Sequence, residues 1–276
     1  MLPIAITALV VIAVLTAFYL LCLYPGKRRD IAPFNTIRYA HRGLHDASLS
    51  ENSLAAFVAA KEAGYGVELD VQLTSDKQIV VFHDADLKRM CGVDKKVSDL
   101  TYAQLYQYTL LDSDERIPLL SDVLDALDTT PVLCEIKSHG SITDSTLCEL
   151  VYPLLAAYKG PLCIESFNPF AVRWFRIHHP EFVRGILSMK YDGASGLPIY
   201  QRWLLTALMT NCLTRPDFIA LKHTDSALLP FRIARSLFGC AAFAWTVQSE
   251  ADEAVTLRHF DTVIFENYLP KTKDES

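Results

Sequence analysis

Glu68 and Asp70 stand two apart in "VELDVQLTSDKQIVVFHD" (67–84), an apolar run that reads as a buried strand, and His83 closes the apolar run that follows. Buried carboxylates are costly unless something neutralises them. Side chains two apart on a strand share a face. Glu68 and Asp70 therefore point together, as do Glu135 and Lys137 in "PVLCEIK", and "TIRYAHRG" carries His41 and Arg42 at its end. Three carboxylates converging on one point repel one another unless a cation sits among them. Ligands that are all oxygen select a hard ion, Mg2+ or Ca2+, over zinc. The alternative is a buried ion-pair network in which Arg42 and Lys137 do the neutralising. Two cations beside a divalent ion suit an anionic substrate, most naturally a phosphate. His41 and His83 titrate near neutral pH and can exchange protons with an attacking and a departing oxygen. Together these groups make a site suited to cleaving a phosphodiester.

The elements that must bring these residues together follow from the alternation of short apolar runs with helical patterns from Asn35 onward. Eight strands are predicted: "TIRYAHRG", "GVELDVQL", "PVLCEIK", "PLCIES", "FVRGIL", "DFIAL", "AAFAWTV" and "DTVIFEN". "ENSLAAFVAAKEAG" reads as a helix with Leu54, Phe57 and Val58 on one face and Gly64 as its stop; "SDVLDALD" reads as another, with Ser121 as N-cap. A further helix is expected near 144–158. Repeated strand–helix units imply a (β/α)8 TIM barrel, class α/β, over residues 35–270, with a doubly wound open sheet as the alternative. In such a barrel the active site lies at the strands' C-terminal ends. "QIVVFHD" is reached through "TSDK", too short for a crossover helix, so a hairpin or an irregular barrel strand is expected. Residues 85–117 read as a small insertion. Residues 189–216 hold an amphipathic or fully apolar helix around Trp203–Leu213, either an ordinary packing helix or a surface that approaches a bilayer.

Composition narrows the setting. About half of the 276 residues are apolar, and the net charge is -6, which argues against nucleic acid as partner. Seven cysteines show no C-x-x-C spacing; Cys134, Cys163 and Cys240 fall in strand-like runs and read as reduced core residues. Residues 1–26 lack any charged side chain, which predicts a single N-terminal transmembrane anchor rather than a cleaved leader. "KRRD" (27–30) follows, and basic residues favour the cytoplasmic side, so a cytoplasmic catalytic domain is expected. The tail "KTKDES" reads as frayed.

"AHRGLHDASLSENSLAAF" followed by "GVELDVQLTSDKQIVVFHD" resembles the glycerophosphodiester phosphodiesterase family. The H-R-G, E-N-[ST], E-x-D, H-D and E-[IL]-K motifs of that family occur in order, and the likeness runs over roughly residues 37–270. The resemblance implies a barrel in which Glu68, Asp70 and Glu135 bind one divalent metal ion and His41 and His83 act as general acid and base. Arg42 and Lys137 would hold the phosphate. Glu51 and Asn52 would support the site, Glu51 by orienting a histidine or Arg42. Phe167 and Trp245 would wall the glycerol pocket, and 85–117 would be the family's small subdomain. The implied reaction is hydrolysis of a glycerophosphodiester to glycerol 3-phosphate and an alcohol. Lysophospholipid cleavage, internal transfer giving a cyclic phosphate, and an inactive membrane-tethered binding module are the competing readings. Departures from the family pattern are Gln248, the pair Glu266 and Asn267, and Glu165. Glu165 is expected at the pocket rim, where it would favour a cationic head group.

Overall fold

The computed structural model describes residues 2–26, 30–111 and 113–271. Most of "KRRD" and the tail beyond Lys271 lie outside the described residues. The chain runs α1 (Leu2–Leu23), α2 (Ala32–Asn35), β1 (Tyr39–Ala40), α3 (Leu54–Glu62), β2 (Gly66–Leu73), β3 (Ile79–Val81), α4 (Lys88–Cys91), α5 (Tyr102–Leu105) and α6 (Leu120–Leu127). It continues through β4 (Val132–Ile136), α7 (Thr146–Ala157), β5 (Leu162–Ser166), α8 (Pro169–His178), β6 (Val183–Ser188), α9 (Ile199–Thr206) and α10 (Asn211–Thr214). Last come β7 (Phe218–Lys222), α11 (Leu229–Ser236), β8 (Ala241–Val247), α12 (Glu250–Thr256) and β9 (Thr262–Phe265).

β1 pairs in parallel with both β2 and β9, which closes the ring. Every strand except β3 is parallel to its neighbours, so the fold is an eight-stranded TIM barrel. β3 returns antiparallel onto β2, pairing Val71 with Val81 and Leu73 with Ile79. The hairpin expected for "QIVVFHD" is therefore what forms, and Lys77 takes the positive φ of 61° that its tight turn needs.

Alternate strand residues face inward. At the N-terminal end of the barrel these are aromatic and apolar: Phe218 stacks on Phe243 with centroids 4.2 Å apart, beside Tyr39 and Leu133. A Cβ at position 185 would meet the Phe218 ring at 2.1 Å, so only glycine leaves room for this plug. The opposite strand faces pack against the helices. α3 is capped by the Ser53 side chain, which accepts from Ala56 N–H, and it buries Ala56, Phe57 and Ala60 while Val58 is half-buried. α6 starts two residues earlier than expected. Leu119 is its N-cap and Ser121 lies inside the helix, because Leu120, Val123, Leu124 and Leu127 must reach the core together.

Residues 82–119 fold over their own apolar centre, built on Leu87, Met90, Val97, Leu105 and Ile117. The helix expected around 203–213 is two pieces, α9 and α10, separated where Leu208 takes a positive φ of 53°. α1 is apolar enough and long enough to cross a membrane, with a mean hydropathy of 2.7 over Ile4–Leu23. Its C-terminal end, from Tyr19 on, touches the barrel. Tyr19 Oη donates to Ala207 O at 3.3 Å and Asn211 Nδ2 to Leu23 O at 3.3 Å. Arg215 Nη1 donates to Leu21 O at 2.9 Å and to Tyr24 O at 2.6 Å, placing a cation on carbonyls that the helix leaves unpaired. The seven cysteines are free, and Cys134, Cys163 and Cys240 are buried as expected.

Candidate active site

Strand register assembles the acidic group. Asp70 on β2 is level with Glu135 on β4, which is level with Glu165 on β5. All three are inward and buried, and Glu68 lies two residues below Asp70 on the same face. One oxygen from each of Glu68, Asp70 and Glu135 can be chosen so that all lie within 4.8 Å of one another. Lys137 Nζ bridges Asp70 at 2.8 Å and Glu135 at 2.9 Å. Arg42 contributes its backbone N–H to Glu68 Oε2 at 3.0 Å and its Nε to Asp70 at 3.3 Å. Asn52 Nδ2 donates to Asp70 Oδ2 at 2.9 Å. Arg42 and Asn52 both hold left-handed backbone, with φ of 57° and 53°, a conformation retained only where the surroundings enforce it.

The ion pairs account for part of this charge. Four inward carboxylates (Glu68, Asp70, Glu135, Glu165) face two cations, and one of those, Arg42, is shared with Glu51 at 2.7 Å. Glu165 Oε2 is buried without a hydrogen-bond partner. Burial pushes Glu68 and Glu165 well above the ordinary carboxylate range, reinforced by the neighbouring carboxylates. Glu135 is raised to about 7 by burial against the opposing pull of Lys137. For Asp70 burial acts upward too, but Lys137 and Arg42 outweigh it and hold the group well below its usual value. In their ionised forms the converging Glu68, Asp70 and Glu135 carboxylates outnumber Arg42 and Lys137, and such a set of oxygens fits a divalent, oxygen-seeking cation. The Glu68, Asp70 and Glu135 oxygens are the donor set that would hold it.

Both histidines are fixed through Nδ1. His41, directly after β1, meets Glu266 Oε2 at 2.6 Å, directly after β9; His83 meets Asp84 Oδ1 at 2.7 Å. An ionised carboxylate only accepts, so each Nδ1 carries the hydrogen and each Nε2 is left to take a proton. Burial lowers the pKa of both rings, against the pull of the carboxylates. Glu266 is itself held well below its usual range, chiefly by the hydrogen bond with His41 and by the proximity of His45, whose Nε2 lies 3.8 Å away. Its other oxygen accepts from Gln248 Nε2 at 2.5 Å.

Arg89, from the 82–119 segment, ties the two halves together. It clamps Glu51 through Nη1 at 2.8 Å and Nη2 at 2.6 Å, and its Nε donates to Asp84 Oδ2 at 2.7 Å. Glu51 thus orients Arg42 rather than a histidine. Phe167 and Trp245 meet edge to face at 5.4 Å on the opposite side of the mouth. The resulting cavity, about 110 Å³, is lined by His41, Arg42, Glu68, His83, Glu135, Lys137, Glu165, Phe167 and Trp245 among others. Glu165 sits in its wall at 1 % exposure, not at the rim, level with Glu135 of the acidic cluster.

His41, Arg42, Glu68, His83, Glu135 and Lys137 thus line one cavity, and Asp70 lies buried behind its wall, paired with Lys137. Sequence reasoning did not find Glu266, Asp84 or Arg89 as parts of it. Glu266 had a usable signal: it continues the inward phase of Thr262 and Ile264 beyond β9. Arg89 had none, because its partners are 38 and 5 residues away across a folded insertion.

A TIM barrel with buried carboxylates, paired basic residues and two carboxylate-held histidines at its C-terminal mouth is the architecture of a phosphoric ester hydrolase. The model of the glycerophosphoryl diester phosphodiesterase family matches residues 41–188, and the chain belongs to that family. It is 32% identical over 236 residues to the glycerophosphodiester phosphodiesterase of Caldanaerobacter subterraneus subsp. tengcongensis, covering 79% of this chain and 88% of that one. It is 38% identical over 152 residues to lysophospholipase D GDPD1 of Rattus norvegicus, a match spanning 50% of this chain and 48% of the relative. The chain therefore spans about half the length of the lysophospholipase D relatives it matches. The glycerophosphodiester phosphodiesterase of Thermotoga maritima superposes with a TM-score of 0.63 at 27% identity, over 83% of this chain and 94% of that one. An Oleispira antarctica phosphodiesterase solved with sn-glycerol-3-phosphate shares the fold, with a TM-score of 0.68 at 22% identity over 83% and 92% of the two chains.

Proposed function

We propose that this chain hydrolyses glycerophosphodiesters to sn-glycerol 3-phosphate and an alcohol, with one divalent ion, Mg2+ or Ca2+, held by Glu68, Asp70 and Glu135. The observation that carries the reading is the meeting, in one mouth, of an under-neutralised carboxylate cluster and two histidines held by carboxylates. When bound, the ion supplies positive charge for the phosphoryl oxygens and for glycerol hydroxyls. Arg42 and Lys137 orient the phosphate, and Glu51 keeps Arg42 extended toward it. His41 and His83 then move protons at Nε2. One takes a proton from the attacking water as the other gives one to the departing alkoxide. Glu266 and Asp84 hold the tautomers and stabilise the ring that has become charged. Phe167 and Trp245 exclude water from the apolar side of the glycerol.

Cleavage of lysophospholipids is a second reading, favoured by the lysophospholipase D relatives and by α1. In both readings α1 spans a membrane and the basic run at Lys27–Arg29 keeps the barrel on the cytoplasmic side.

The test is choline release with Mg2+, with Ca2+ and with chelator, from glycerophosphocholine, where glycerol 3-phosphate is the other product, and from lysophosphatidylcholine micelles, where the other product is lysophosphatidate. Release that survives chelation would remove the metal-dependent reading. Because Glu135 is raised to about 7 in the ion-free site, metal binding should displace its proton and tighten as pH rises through that region. Titration calorimetry in buffers of different ionisation enthalpy reads that proton directly.

A further inference from the structure

α9 carries an apolar stripe that nothing in the barrel covers. Ile199, Tyr200 and Trp203 are 75%, 60% and 61% exposed, and no residue of α9 is buried. Positions 199 and 203 are one turn apart and 200 lies beside them, so the three share one face. The stripe leads to Ala207, whose carbonyl accepts from Tyr19 of α1. Tyr19 is four residues before the end of α1, about 6 Å inside the apolar span that closes at Leu23. A helix that meets a membrane span one turn inside its end lies at the height of the bilayer interface. Tryptophan and tyrosine with an aliphatic neighbour are the side chains that settle at that boundary.

We propose that the outer face of α9 is seated in the interface of the bilayer that α1 crosses, with Trp203 at the boundary between head groups and acyl chains. This rests on the reading of α1 as a span. α9 begins just after the loop that leaves β6, and Leu187 of β6 lines the catalytic cavity. The β6 side of the mouth is thereby turned toward the membrane, and the occupant of the stripe is lipid rather than a second protein.

The full chain is reconstituted in phosphatidylcholine vesicles, plain or brominated near the head-group end of one acyl chain. Bromination should quench tryptophan emission, and Trp203→Phe should lose that quenching, leaving Trp174 and Trp245 unaffected. Leu15→Trp in the Trp203→Phe background reports on α1 separately and should be quenched by lipid brominated near the acyl terminus. Quenching at position 15 with none at Trp203 would overturn the proposal and assign the stripe to a protein partner. Quenching at neither would remove the membrane-span reading and the proposal with it.

Discussion

The two long departures from the barrel, residues 82–119 after β3 and residues 189–217 between β6 and β7, treat their apolar side chains in opposite ways. The first turns them inward. Leu87, Met90, Val97 and Leu105 are all nearly inaccessible, and the segment needs nothing else to cover it. The second leaves Ile199, Tyr200 and Trp203 in the open and spends its polar contacts on α1. An insertion with its own core can present a rigid arginine to a site. One without such a core is completed by a surface from outside the barrel. On the function and the membrane seat proposed above, the first serves chemistry and the second serves placement.

That contrast can be broken by substitution. The largest effect is expected where the first segment begins. His83→Ala should lower kcat about 10²–10⁴-fold, as loss of a proton-exchanging group does, while Trp203→Ser should leave turnover of soluble glycerophosphocholine unchanged. Steady-state rates on both variants read this. Next is stability. Leu105→Ala opens a cavity in a closed core and should cost about 2–5 kcal/mol in urea denaturation; Trp203→Ser, on an exposed face, should stay within about 0.5 kcal/mol. Arg89→Ala should follow, with a roughly tenfold loss in kcat/KM, about 1.4 kcal/mol, because half-exposed Arg89 positions Glu51 and Asp84 without touching substrate. Restoration in part by Arg89→Lys would mark it as a positioning residue. If Arg89→Ala left kcat/KM intact, the part of the segment beyond Asp84 would be a cover and nothing more.

The smallest effect is on pH. Burial lowers both histidines, and their carboxylates partly oppose it. The ring acting as base thus stays neutral, and competent, to a pH below the usual histidine value, and activity falls on the acid side once it is protonated. Removing a carboxylate removes an influence that favours the proton. Glu266→Gln or Asp84→Asn should therefore move the acid limb of the kcat/KM profile to lower pH, whichever of the two holds the base. An upward shift in either variant would contradict the geometry. The same depression makes folded-state stability decline as pH falls through the ordinary histidine value, because the unfolded chain takes up the proton first.

Much of this was legible before the fold was seen. The inward phase of each strand runs from apolar to chemical: Leu133, Glu135, Lys137 on one, Cys163, Glu165, Phe167 on the next. A period of two read along "PVLCEIK" and "PLCIES" finds the cavity wall because side-chain alternation is local. What escaped was long-range or hinged on geometry at element ends. Glu266 reaches His41 across 225 residues, and only barrel closure through β1 and β9 makes them neighbours. Ser121 was the better cap by residue type, but the burial of Leu120 moved the start of α6. The apolar run at 203–213 looked continuous, and the break at Leu208 answers to packing against α1 that composition does not reveal. Glu165 was expected at the pocket rim; the register of β5 on β4 makes Glu135 its direct neighbour and puts it in the cavity wall.

The clamp of Arg215 and Asn211 on the last turn of α1 leaves little slack between anchor and catalyst. A soluble enzyme on a floppy tether samples all attitudes to a surface. With α1 in the bilayer, this one is held at a fixed tilt and cannot tumble away. Its encounters with lipid-borne substrate then become two-dimensional, and the quantity that saturates it is a surface density in the leaflet rather than a bulk concentration. For a lysophospholipid substrate, diluting it among inert lipids at constant bulk amount should therefore slow turnover, whereas adding buffer should not.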